Sequence, residues 1–295
     1  MVKTVFTAAM LALALLQPAP TEFVELDIIA LDRQNQPSTD LTQNDFEVRD
    51  GGARVTIRSF QAVTARGMGV GDGRSVVLLM DDVGVSRVST MPMQQLAGGL
   101  LSPSRLADEI AVIRLSRTHD EPFGDVETAR ERIEQYRGEA VPFSSRDTPE
   151  AVLQTVARTA ASLEPVEHRR KALICLGGVA VCNPREPVSG SSDAFRTAWT
   201  TAVSAAGRAN LSVYEVDPFG LTQSARVSGA GLVQLTGGDL FRNSNGFRVA
   251  AAHIWDEASQ YYLVGYWGAP AGRNLIPIDV RTTRRDVRLW ARQFR

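Results

Sequence analysis

The 295-residue chain is 44% hydrophobic and 22% charged, which is the composition of a folded protein with core enough for one large or two modest domains. Its 32 Lys and Arg against 33 Asp and Glu leave a net charge of −1, which excludes a global electrostatic attraction for nucleic acid or anionic lipid.

Residues 1–20, MVKTVFTAAMLALALLQPAP, set one Lys ahead of an apolar run over 5–16 and a proline-containing tail. That is the order of a secretory signal peptide, whose apolar stretch is too short for a stable span. An uncleaved anchor is the alternative, and residues 12–14 and 17–19 are both imperfect cleavage sites. The expected location is secreted or periplasmic, with no membrane contact beyond this segment.

A β-rich unit follows over residues 22–63. FVELDIIAL (23–31) alternates partly, FEVRD (46–50) alternates fully, and Asp50-Gly51-Gly52 marks a hairpin into RVTIRSF (54–60). Gly67, Gly69, Gly71 and Gly73 make a linker. They precede a strand rather than follow one, which argues against a phosphate loop.

From Ser75 the pattern changes to strands alternating with helices, the signature of a parallel sheet. Residues 76–80 are an unbroken apolar run ending in Asp81 and Asp82, as in a strand buried on both faces with an acidic carboxyl end. Ser89 or Thr90 caps a helix running towards Leu101, and IAVIRL (110–115) is the next strand. Residues 120–124 suggest an edge strand and 128–137 a short charged helix. Asp147 or Thr148 caps a helix with Val152, Val156 and Leu163 on one face. KALICL (171–176) is the third central strand, and residues 183–192 form a loop. Asp193 caps a helix that buries Phe195, Trp199 and Val203. LSVYEV (211–216) is the fourth strand, and a helix from Leu232 stops at Thr236-Gly237-Gly238. Residues 239–242 give a short strand and 247–259 a last helix. Cys175 and Cys182 are either disulfide-bonded, as export permits, or buried thiols.

Residues 260–295 return to β structure: YYLVGY (261–266), then Ile276, Ile278 and Val280, then Val287, Leu289 and Ala291 alternate with polar partners. Neither end has strands enough to stand alone. The expected architecture is therefore a doubly wound, mainly parallel α/β domain over 74–259. It is inserted in a small β-sandwich-like domain made of 22–63 and 260–295. Six arginines between 281 and 295, opposed only by Asp286, read as the exposed face of an edge hairpin, with Trp290 placed to stack on Arg288 and Arg292.

A strand ending in Asp, a helix entered near a Thr, KALICL, SVYEVDPFGL, LTGGDLF and YYLVGY, in this order, resemble the von Willebrand factor A-related proteins of bacterial exported type. The opening VELDIIALDRQNQPSTDLTQNDFEVRDGG resembles their N-terminal segment, so the resemblance runs from about Val24 to the last strand. It implies a metal-ion-dependent adhesion site: Asp-x-Ser-x-Ser after the first strand, a Thr before a helix and an Asp in a later loop, holding Mg²⁺ through oxygen ligands. Asp81 matches the first ligand and Thr148 the threonine by context. Val83 and Val85 stand where the serines belong, and Gly177-Gly178 replaces the later Thr-Asp. The resemblance thus implies a degenerate site, in which Asp81, Asp82, Ser86 and Thr148 are the remaining candidate Mg²⁺ ligands.

No Gly-x-Ser-x-Gly elbow, H-E-x-x-H or glycine fingerprint after the first strand is present. The expected function is a non-enzymatic binding or adhesion module that recognises a protein or surface polymer through the top of the sheet. The alternatives are a structural subunit of an envelope complex and, last, a hydrolase using Asp81 and Asp82 as paired carboxylates.

Overall fold

The structure, a computed structural model, describes residues 21–64, 73–117, 122–139, 147–167, 169–177, 182–217, 231–241, 247–271 and 274–295. The leader, most of the glycine linker, His119, His168, Gly178 and residues 218–220 lie outside them. Four strands precede the long apolar run: β1 (Glu22–Leu31), β2 (Phe46–Asp50), β3 (Ala53–Arg54) and β4 (Ile57–Val63). Then come β5 (Ser75–Met80), β6 (Glu109–Arg114), β7 (Lys171–Leu176), β8 (Leu211–Val216) and β9 (Leu240–Phe241), and finally β10 (Tyr261–Gly268), β11 (Ile278–Thr282) and β12 (Arg288–Trp290).

Strands β5 to β9 form one all-parallel sheet in the order β6-β5-β7-β8-β9. Alternate residues of these apolar runs point to opposite faces, and each face meets helices. Val77, Leu79, Leu173 and Val213 pack under α3 (Asp147–Leu163), α4 (Asp193–Ala209) and the short α5 (Leu232–Leu235). Val76, Leu78, Met80, Ile174 and Leu176 pack under α1 (Thr90–Leu100), α2 (Val126–Glu134) and α6 (Phe247–Glu257). The α/β body is therefore doubly wound, as its alternating pattern indicates.

The two chain ends pair. One sheet runs β12-β1-β10-β4 and the other β11-β2-β3, and Leu26, Ile28, Phe46, Val48, Tyr262, Val264 and Ile278 share one core between them. Two expectations need correction here. The return strand after Gly51-Gly52 is split: β3 pairs with β2 for only two residues before β4 crosses to the other sheet beside β10. The expected C-terminal edge hairpin is also split, since β11 pairs with β2 and β12 with β1. Both are corners where the chain changes sheets, a device of sandwiches that strand alternation does not reveal.

Helix limits differ slightly from the sequence reading. The charged helix is shifted to Val126–Glu134 because Asp125 caps it, its carboxylate accepting from the Thr128 amide. Ser192, not Asp193, caps α4. Residues 118–121 lie outside the described set, and Gly124 makes a single antiparallel bridge to Ile110 rather than a strand.

The β sheets sit against the amino ends of the parallel strands, where buried arginines lie ahead of β5 and β7 and Arg170 holds the junction. Arg170, one residue ahead of β7, donates to Asp27 of β1 at 2.5 Å and lies over the Tyr261 ring of β10. Arg74, one residue ahead of β5, is bidentate to Asp108 at 2.9 and 2.6 Å, donates to Ser259 at 2.8 Å and stacks on Trp255. The C-terminal arginines are not all an exposed face. Arg292 is buried and directs its guanidinium to the Gly207 carbonyl and Asn210 instead of stacking on Trp290, and Arg295 is buried against Asp50 at 2.7 Å. Removing one partner of a buried pair leaves an uncompensated charge. Asp27→Ala is therefore expected to lower unfolding stability by about 3–5 kcal/mol, measured as a fall in the urea midpoint.

Candidate functional site

In an open α/β sheet, ligands bind beyond the carboxyl ends of the strands, at the point where the strand order reverses. Here β6 lies on one side of β5 and β7 on the other, so the end of β5 is that point. Asp81 continues β5 by donating its amide to the Leu176 carbonyl of β7 at 3.0 Å. Its carboxylate then turns back on its own loop, where Oδ1 accepts the amides of Val83 at 3.1 Å and Gly84 at 2.7 Å. This fixes the loop as an Asx-type turn. Val83 and Val85, which carry no ligand oxygen, are buried beneath it.

Asp82 points elsewhere. Its Oδ1 accepts from the Ser116 amide at 2.9 Å, and its Oδ2 accepts from the Ser116 hydroxyl. Ser116 follows β6, so Asp82 ties the first loop to the second. Ser86 is half-buried, with its hydroxyl 3.3 Å from that of Ser89 ahead of α1. Thr148 lies in the first turn of α3, and its side chain is outside the described residues. Among the described residues no three His, Cys, Asp or Glu side chains are grouped to hold a metal ion.

Tyr136 and Gly138, which no local pattern marks, and Gly177 complete the rim. Tyr136 is buried and donates its hydroxyl to the Asp81 carbonyl at 2.7 Å. Burial, and then the Asp81 and Asp82 charges, push its ionisation up, so it serves as a fixed donor. Gly138 passes so close to the loop that a Cβ there would lie 2.6 Å from the Val85 carbonyl oxygen, and Glu139 donates its amide to the Asp82 carbonyl. Gly177 is equally constrained, since a Cβ would lie 2.7 Å from that of Asp81. These are contacts between distant segments, and no local pattern announces them.

Cys175 and Cys182 are disulfide-bonded with Cα atoms 5.5 Å apart, which decides between the two readings of the cysteines. The bond is buried and fastens the segment after β7 to the strand end beside Gly177. Beyond the turn, Val88 is 88% and Met91 66% exposed. They edge a groove of about 760 Å³ formed with Arg87, Thr90, Gln94, Glu134 and Arg137. One signal for this was legible. The buried face of α1 is Met93, Leu96, Ala97 and Leu100, and Met91 falls off that stripe.

This geometry defines a doubly wound, all-parallel α/β body carried on a two-sheet β unit built from both chain ends. No protein-family model and no curated protein sequence matches the chain. Among solved structures, an aerotolerance-related membrane protein from Bacteroides fragilis superposes with a TM-score of 0.41 at 15% identity, over 63% of this chain and 98% of that one. BatB from Bacteroides thetaiotaomicron does so with a TM-score of 0.37 at 15% identity, over 63% and 99%. The fold assignment rests on the strand order and helix layers above. No helix among the described residues is long and apolar enough to cross a membrane.

Two outcomes are expected at this site. Burial is the largest influence on Asp81 and raises its carboxyl above the ordinary 3.8, against the pull of the Gly84 and Val83 amides. A carboxyl whose folded pKa lies above its unfolded one loses stability as pH rises from the unfolded value through the folded one. Asp81→Asn keeps an oxygen for both amides. It is therefore expected to raise the urea midpoint at about pH 7 and to show no such gain below about pH 3. The disulfide closes a short loop, with a sequence separation of 7. Replacing both cysteines by Ala is expected to lower stability by about 2 kcal/mol, read from the same titration.

Proposed function

We propose that the protein is an exported, non-catalytic binding module of the von Willebrand factor A-related kind, which engages a protein or surface-polymer partner with the carboxyl rim of its parallel sheet. The observation that carries this reading is the division of labour at the rim. Asp82 is engaged by Ser116 and one oxygen of Asp81 by its own turn, while Val88 and Met91 stand in solvent beside a groove. Exposed apolar groups clustered with a polar rim mark interaction surfaces. Arg87, Arg137, Glu134 and Glu139 give that groove a border of both charges able to set orientation.

The degenerate metal site belongs to the same reading. Valines at 83 and 85 remove two hydroxyl ligands, and burying them strengthens the loop that a cation would otherwise organise. A hydrolase using the paired carboxylates would need one of them directed at a substrate, whereas Asp82 faces Ser116.

The test uses the whole protein immobilised against an envelope extract, alongside a Val88→Asp, Met91→Lys variant. The expected result is a partner retained by the wild type and reduced at least about tenfold on the variant, the loss typical of removing interface hot spots. The variant's melting temperature should be unchanged, and neither millimolar Mg²⁺ nor a chelator should alter retention or melting temperature. Equal retention on both proteins would place the binding face elsewhere, and a Mg²⁺-induced rise in melting temperature would restore the metal site.

A further inference from the structure

The four-stranded sheet does not close everywhere against the base of the parallel sheet. A cavity of about 490 Å³ lies between them, with Phe23, Glu25 and Leu263 on the strand side, Lys171 at the start of β7 and Arg292 just after β12. This volume suits a small molecule, and such sites favour clefts between two bodies.

The charges around the cavity are unevenly matched. Arg170 is paired with Asp27, Arg208 with Glu164, and Arg295 with Asp50. Lys171 and Arg292 are left over. They are only 7% and 8% exposed, and no carboxylate among the described residues lies within ion-pair distance of either. Arg292 donates to the Gly207 carbonyl and, at 3.0 Å, to Asn210 Oδ1, and its Nε is buried with no partner. Burial pulls Arg292 down to about 10 and also lowers Lys171, where the nearby Arg292 adds to the effect and Asp27 and Glu25 oppose it without cancelling it. A buried cation is costly unless an anion compensates it, and here two share one cavity. The unpaired carboxylate on the wall, Glu25, is exposed.

We propose that this cleft binds a small organic carboxylate, its anion held between Lys171 and Arg292 and its apolar body lying along Phe23 and Leu263. The exposed Glu25 disfavours a second negative charge at the outer end, which selects a monoanion over a phosphate. This site is separate from the rim, and neither reading depends on the other.

The full chain is titrated calorimetrically with N-acetyl-leucine, with N-acetyl-leucinamide and with inorganic phosphate, each to about 10 mM, tenfold above a millimolar Kd. The expected result is saturable binding of N-acetyl-leucine alone, weakened about tenfold or more in Lys171→Met, as for loss of a charge-assisted hydrogen bond. A thermal melt checks that this variant is folded. Leu263→Trp, which fills the cleft from the opposite wall, is expected to abolish binding, and it serves as the test should Lys171→Met not fold. Absence of saturation by the acid, equal binding of the amide, or binding that survives either folded variant overturns the proposal. Preferential saturation by phosphate overturns the carboxylate assignment.

Discussion

Two arginines, each one residue ahead of a central parallel strand, hold the architecture together. Arg74 and Arg170 are both buried where the β unit meets the α/β body, and both find carboxylates: Asp108 for the first, Asp27 for the second. Neither partner is a chain neighbour. Asp108 precedes β6, and Asp27 belongs to β1, so each pair joins segments that meet only in the finished fold. Arg74 also reaches Ser259, where the chain leaves α6 for β10. The Arg170–Asp27 pair fixes the α/β body on β1, since breaking it would strand a charge in a low-dielectric interior, while Arg74 ties β5 to the residue before β6 and to Ser259 within that body.

The two ends of the parallel sheet use charge in opposite ways. At the amino ends buried cations find acids from both bodies, Arg170 pairing with Asp27 of the β unit and Arg74 with Asp108 of the α/β body, while no carboxylate among the described residues pairs with Lys171 or Arg292. At the carboxyl end of β5, Asp81 and Asp82 are engaged by amides and a hydroxyl of adjacent loops. A carboxylate so engaged shapes the backbone around it. The rim consequently gains a loop that the Asp81 carboxylate holds and that Asp82 ties to the segment after β6.

Much of this was legible in the sequence, and what was not has a common cause. The run at 76–80 is continuous and apolar, and those at 172–176 and 211–216 are largely so, because both faces of a parallel strand are covered, so the pattern marked the parallel sheet. Helix α4 was marked by the spacing of Phe195, Trp199 and Val203, although Ser192 rather than Asp193 caps it. The sheet-switching corners were not, because residues 54–60 alternate equally well whether they pair with one strand or divide between two. The arginine run over 281–295 reads as the exposed face of an edge hairpin, yet the structure buries Arg292 and Arg295. Their burial depends on Asn210 and Asp50, which lie 82 and 245 residues away in the chain. Asp81 and Asp82 were marked as a rim pair by the strand that ends in them. The partners that decide what they do, Ser116, Tyr136, Gly138 and Gly177, were set by tertiary packing alone.

Strand β7 connects the two surfaces that this chemistry creates. Lys171 begins it and Cys175 precedes its last residue, and Gly177 follows. The cleft at its base and the rim at its top are thus about 20 Å apart, at roughly 3.3 Å per residue. Every side chain of β7 is buried and the strand is paired on both edges. A close-packed strand in this setting does not deform continuously. A ligand in the cleft could influence the rim only by biasing two discrete arrangements of β7, and the disulfide that pins its upper end opposes a second arrangement. The architecture therefore favours independence of the proposed rim and cleft sites over their coupling.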